Sequence, residues 1–95
     1  MPTPGLDPVI HPALRLQICA MLAAEEGELG FGLVRARLDV SESVLSKHSK
    51  VLETAGYIML RKAAADARQR TWLALTPAGR EAFAAHAAAL RALIG

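Results

Sequence analysis

The stretch Ser41–Gly56, SESVLSKHSKVLETAG, carries the marks of a capped helix. Ser41 can N-cap it, because its hydroxyl can accept from the free N–H groups of the first turn. Gly56 can stop it, because a left-handed residue after the last turn is cheapest without a Cβ. Leu45, Ser49 and Leu52 recur at i, i+4, i+7 and form one inward stripe. Val44, His48 and Ala55 flank it. The opposite face holds Glu42, Ser43, Ser46, Lys47 and Lys50. An ordinary solvated face would carry more Glu and Glu-to-Lys pairs four residues apart. Hydroxyls and lysines are instead the groups that contact base edges and phosphates.

The flanks fit that reading. Upstream, Gly32 to Leu38 is expected as a short helix with Leu33, Val34 and Leu38 turned inward. Asp39-Val40-Ser41 is then a tight turn, so the two helices make a helix-turn-helix. Downstream, Tyr57–Lys62 and Thr71–Thr76 read as strands. Between them Ala63–Arg70 reads as a loop longer than a reversal needs, with Arg68 and Arg70 near its tip: a wing. Leu29–Phe31 is expected as a very short strand.

The first helix is expected from His11 to about Glu26, with Pro12 near its start, where a missing N–H costs nothing. Leu14, Ile18, Met21 and Leu22 form one apolar stripe. Leu16, Cys19, Ala20 and Ala23 form another, so this helix needs two partners. Thr76-Pro77 caps and opens the last helix, which runs to about Leu93. Its Phe83, Ala87, Leu90 and Ile94 make a seam suited to a second helix, and alanines around it permit close approach. Residues 1–8 hold three prolines and are expected as a flexible tail, with one domain over 9–95.

Composition bounds the function. Ninety-five residues, 53% of them hydrophobic, suit one small domain with a core. No apolar run reaches the ~18 residues that span a bilayer, and MPTPGLDP lacks the basic start of a signal peptide. The single Cys19 excludes an internal disulfide, which suits a reducing cytoplasm. Net charge is only +2, yet residues 1–45 carry net −3 and residues 46–70 carry net +4. Positive charge therefore gathers on the capped helix and wing, as binding a polyanion requires. Neither a phosphate loop, a nucleophile elbow nor paired metal ligands can be found. The chain reads as a non-enzyme with no metal and no cofactor. Cys19 sits among apolar residues without a second Cys, which disfavours redox sensing.

The order helix, helix, recognition helix, strand, wing, strand, helix resembles the winged helix-turn-helix of the MarR and ArsR transcription regulators. His11-Pro12 with Arg15, Leu45-Ser46-Lys47-His48, Val51-Leu52-Glu53, Ala55-Gly56-Tyr57 and Leu75-Thr76-Pro77-Ala78-Gly79-Arg80 carry the resemblance over about residues 6–93. It implies a mainly α fold with a small β-hairpin and a cytoplasmic homodimer, a repressor on double-stranded DNA. Ser43, Ser46, Lys47 and Lys50 match the family's DNA-facing helix positions, and Arg68 and Arg70 its wing. Ser41 completes that expected contact set. Leu16, Phe83, Ala87, Leu90 and Ile94 are the expected dimer contacts, leaving room for a small-molecule effector at the dimer interface. A winged helix that binds an acidic protein is the alternative. Ser49 departs from the family, where Leu is usual; its hydroxyl needs a partner such as the carbonyl four residues back, or costs about 1–3 kcal/mol.

Overall fold

The computed structural model describes residues 5–65 and 68–95. Four helices and a three-stranded antiparallel sheet follow in the order α1 (Ala13–Ala23), β1 (Leu29–Gly30), α2 (Phe31–Leu38), α3 (Glu42–Thr54), β2 (Ile58–Ala65), β3 (Arg68–Leu75) and α4 (Pro77–Ile94). β3 is central, between β1 and β2. Ile10, Ile18, Cys19, Leu22, Leu29, Val34, Leu45, Leu52, Ile58, Leu73 and Leu75 form the core.

Capping chemistry places the helix ends. Ser41 Oγ accepts from the Val44 N–H at 3.2 Å, and Thr76 Oγ1 accepts from the Gly79 N–H at 2.9 Å. After α3, Gly56 lies at φ 81°. Its N–H donates to the Glu53 carbonyl at 2.9 Å and the Tyr57 N–H donates to the Leu52 carbonyl at 3.0 Å, the paired bonds of a Schellman ending. α2 ends the same way on Asp39, at φ 53°, with Asp39 and Val40 N–H groups reaching the carbonyls of Ala36 and Arg35.

Several expectations are corrected. α1 stops at Ala23, short of Glu26, since Glu25, Glu26 and Gly27 oppose the negative end of the helix dipole and continued helix. Arg80 covers its end, donating to the carbonyls of Ala23 at 3.4 Å and Glu25 at 2.7 Å. Leu33 is 43% exposed rather than core, because the inward face of α2 is taken by Val34, which is fully buried, with Phe31 and Leu38 partly buried against the core. The wing is not a long loop. β2 and β3 pair from Ile58↔Leu75 out to Ala65↔Arg68, so a register begun in the core carries the ladder through Ala63–Ala65. Asp66 and Ala67 of the expected tip lie outside the described residues.

The N-terminal segment also differs from a flexible tail where it is described. Ile10 is fully buried. Asp7 accepts from the Val9 N–H at 2.8 Å through Oδ1 and from the Tyr57 hydroxyl at 2.5 Å through Oδ2. Its own N–H donates to His86 Nδ1 at 2.9 Å. Residues 1–4 lie outside the described residues. Finally, Ser49 is 1% exposed and its hydroxyl has no hydrogen-bond partner among the described residues, so the expected bond to the carbonyl four residues back does not form.

Candidate nucleic-acid interface

α3 exists as a reading surface because its burial is one-sided. Leu45, Ser49 and Leu52 are buried, while Ser41, Ser43, Ser46, Lys47 and Lys50 are all exposed. With Glu42 these five form one open, nearly flat patch along the outer face of the helix. The helix thus brings together every candidate proposed on it. Ser41 is partly committed: besides capping, its Oγ lies 3.2 Å from the Ser43 hydroxyl. Lys50 Nζ is 3.1 Å from Glu53 Oε1, with the lysine side chain 73% exposed. An exposed pair of this kind contributes at most about 1 kcal/mol, so Lys50 remains cheap to redirect.

Arg68 and Arg70 stand on β3 and line a groove, about 680 Å³, with Gly30–Leu33, Arg35, Glu42 and Trp72. Glu42 belongs to both the patch and the groove, so the wing arginines and the start of α3 border one continuous surface. Two positions missed in the sequence belong there. Lys62, with Thr71, lines a groove of about 480 Å³ against Ser46, Lys50 and Glu53 of α3. The period-2 run Ile58, Leu60, Lys62 was the available signal: it carries the core-facing side of β2 outward past the core. Arg35 faces the wing from α2, and no spacing rule marked it.

Arg61 is basic yet not free. Its Nε and Nη2 donate to the Glu28 carboxylate, both at 2.8 Å, and its guanidinium carbon lies 5.9 Å from the Trp72 ring centroid. The Arg61 bond holds the Glu28 carboxyl below the usual range. This pair ties β2, at the root of the wing, across the central β3 to the residue just before β1. Trp72 is therefore a packing residue, with its ring 3.7 Å from where a Gly30 Cβ would stand.

His48, behind the reading face, receives Arg15. Arg15 Nη1 is 3.1 Å from His48 Nδ1, and since a guanidinium only donates, that nitrogen accepts and the ring is neutral. Burial, then the Arg15 charge and Lys47, push its pKa down. Cys19 is buried, and burial with the Asp7 charge pushes its thiol up to about 11. Such a thiol is protonated and unreactive. No group of His, Cys, Asp and Glu among the described residues could hold a metal ion. No helix among them is long and apolar enough to cross a membrane.

Residues 14–94 match the winged helix DNA-binding domain family. The chain belongs to that family. Among solved winged helices it is similar to a transcriptional regulator homologue from Pyrococcus horikoshii OT3, with a TM-score of 0.84 at 29% identity over 90% of this chain and 84% of that one. HlyU from Vibrio cholerae N16961 gives a TM-score of 0.63 at 25% identity, over 80% and 77% of the two chains. PadR from Bacillus subtilis, solved in complex with operator DNA, gives 0.65 at 18% identity over 77% of this chain and 46% of PadR, a likeness of fold. No curated protein matches the sequence. The winged helix fold places the outer face of α3 and the basic strand of the wing side by side.

Proposed function

We propose that this winged helix is a sequence-specific DNA-binding transcription regulator of the MarR/ArsR-like type, acting as a homodimeric repressor. The observation that carries the reading is the continuous surface of Ser43, Ser46, Lys47 and Lys50 on α3 with Arg68 and Arg70 on the wing. The first two turns of α3 read base edges in the major groove; lysines and arginines hold phosphates and set the register. The wing arginines follow the backbone toward the neighbouring minor groove. Ser41 serves chiefly as the cap that keeps the first turn formed.

Dimerisation runs through α4. Phe83, Ala87 and Leu90 are half-buried, and the helix ends in Leu93 and Ile94, 58% and 78% exposed. A second copy laid against this end covers apolar groups that one chain leaves in water. Leu16 of α1 is half-buried and packs on the core, so it supports this interface from behind. Two copies present recognition helices to half-sites about one helical turn apart, ~34 Å, and block polymerase sterically. A small molecule seated between α1 and α4, in a pocket completed at the dimer interface, would change that spacing and release the DNA.

Fluorescence anisotropy against the DNA upstream of its own coding region, beside a scrambled duplex and over a salt series, tests the proposal. Binding that prefers the upstream site and weakens log-linearly with salt supports it. Absence of binding to either duplex, and to a pool selected from random DNA, overturns it and favours an acidic protein partner.

A further inference from the structure

The N-terminal segment joins α3 to α4 by side-chain bonds at both ends. On the α4 side the Asp7 N–H donates to His86 Nδ1 at 2.9 Å, and a Cβ on Gly5 would come 2.9 Å from the Ala89 Cβ. On the α3 side there are two links. The Tyr57 hydroxyl donates to Asp7 Oδ2, and Tyr57 is the residue whose N–H closes the last turn of α3. Arg15 Nε donates to the Val9 carbonyl at 2.6 Å while its Nη1 donates to His48 Nδ1, in the middle of α3.

This matters because the core grips α3 weakly at its centre. Between Leu45 and Leu52 stands Ser49, whose buried hydroxyl is unpartnered. A serine there buries far less apolar area than a leucine would. Such a stripe leaves the helix less resistant to rolling about its axis, and a roll moves every base-reading side chain. The Arg15–His48 bond attaches one residue before that weak point, on the side away from the DNA-facing patch.

We infer that residues 5–10 form a strut that fixes the orientation of the recognition helix relative to α4, with Arg15 and Tyr57 as positioning residues for DNA reading. The inference rests on the DNA-binding function proposed above. In a dimer built on α4, the angle of α3 to α4 sets the separation of the two recognition helices. The strut therefore governs which half-site spacing the protein accepts, without any of its residues touching a base.

The test uses the full chain carrying Tyr57→Phe, His48→Leu or His48→Asn; the asparagine places an amide oxygen where Nδ1 stands. Each is titrated against the operator selected by the wild type, the same operator with one base pair added between half-sites, and a scrambled duplex. Melting curves are recorded alongside. Tyr57→Phe and His48→Leu are expected to melt cooperatively and lose about tenfold in operator affinity, with scrambled binding within about twofold. They should also discriminate less against the lengthened site, and His48→Asn should recover most of the loss. Equal losses on operator and scrambled DNA, or unchanged affinity and spacing preference in folded variants, overturn the strut. Should His48→Leu fail to fold, Tyr57→Phe, which removes one oxygen atom, decides. A wild type that does not distinguish operator from scrambled DNA overturns the DNA-reading function itself.

Discussion

The two ends of α3 are held in opposite ways. At the N-terminal end Ser41, Glu42, Ser43 and Val44 are exposed, and the cap is local: Ser41 Oγ to the Val44 N–H. At the C-terminal end the chain is bolted by three hydrogen bonds to two distant places, Thr76 at the start of α4 and Asp7 in the N-terminal segment. The Gly56 carbonyl accepts from the Thr76 hydroxyl at 2.6 Å, the Tyr57 carbonyl accepts from the Thr76 N–H at 3.0 Å, and the Tyr57 hydroxyl reaches Asp7. One end is an anchor and the other a free reading edge. Substitutions that disrupt the backbone packing of the anchor should therefore cost stability, and substitutions at the reading edge should cost binding without moving the melt.

The largest effect is expected at the anchor from Gly79→Ala. Gly79 is the one buried glycine of α4, and a Cβ there would overlap the Tyr57 carbonyl oxygen and meet a Leu75 methyl at 3.0 Å. Backbone overlap of this kind should destabilise by about 3 kcal/mol, on the order of 15 °C in melting temperature for a domain this small. A thermal melt that moves by under about 4 °C would show that the α3–β2 junction yields, and the contrast between the ends would fail.

The same end should carry a pH dependence. His86 is fully buried, accepts from Asp7 through Nδ1, and leaves Nε2 without a partner. Burial first, then the neighbouring His11, lower its pKa, with Asp7 opposing. A histidine whose folded pKa lies below its unfolded value gives its full stabilisation above the unfolded pKa of about 6.5. That stabilisation is lost as pH falls from there through the folded pKa. Denaturation midpoints should thus be level from pH 8 to 7 and drop toward pH 5, and His86→Asn, which retains an acceptor but does not titrate, should flatten the drop.

At the reading edge, Lys47→Ala should leave the melt unmoved and weaken DNA binding by about tenfold, lowering the salt slope by about one if Lys47 holds a phosphate. A loss confined to one operator base, with the slope unchanged, would instead make Lys47 a guanine reader. Ser49 lies between the ends. Its unpartnered hydroxyl costs about 1–3 kcal/mol, so Ser49→Ala should raise stability by about 1 kcal/mol in urea unfolding. A lower midpoint would mean that the hydroxyl is hydrogen-bonded in solution.

These contrasts explain what the sequence makes legible. The ends of α3 and the start of α4 could be read because caps act within four residues: Ser41 to Val44, Thr76 to Gly79, Gly56 to Glu53. The exposed set on α3 followed from the periodicity of Leu45, Ser49 and Leu52. What escaped depends on distant partners. Asp7 looks like part of a proline-rich tail until Tyr57 and His86, 50 and 79 residues away, supply its bonds. Ala63–Ala65 have little strand preference of their own; the register inherited from Ile58↔Leu75 makes them strand. Arg61 counted toward a basic stretch, but Glu28, 33 residues earlier, takes it out of service.

The smallest expected effect concerns the turn that delivers the reading edge. Asp39 and Gly56 occupy equivalent left-handed positions after α2 and α3, at φ 53° and 81°, yet only one is glycine. Left-handed backbone strains a residue with a Cβ, though less for Asp, whose short side chain tolerates it. Asp39 also places a negative charge at the carbonyl end of α2, which is unfavourable, and just before the N-terminus of α3, which is favourable. These dipole terms largely offset each other. Relief of strain against the larger unfolded-state entropy of glycine leaves a gain of about 0.5 kcal/mol for Asp39→Gly. Equilibrium urea unfolding resolves such a change when the slope is unaltered. A loss of 1 kcal/mol or more would mean that the Asp39 carboxylate stabilises the first turn of α3, so that the reading edge is supported from outside its own cap.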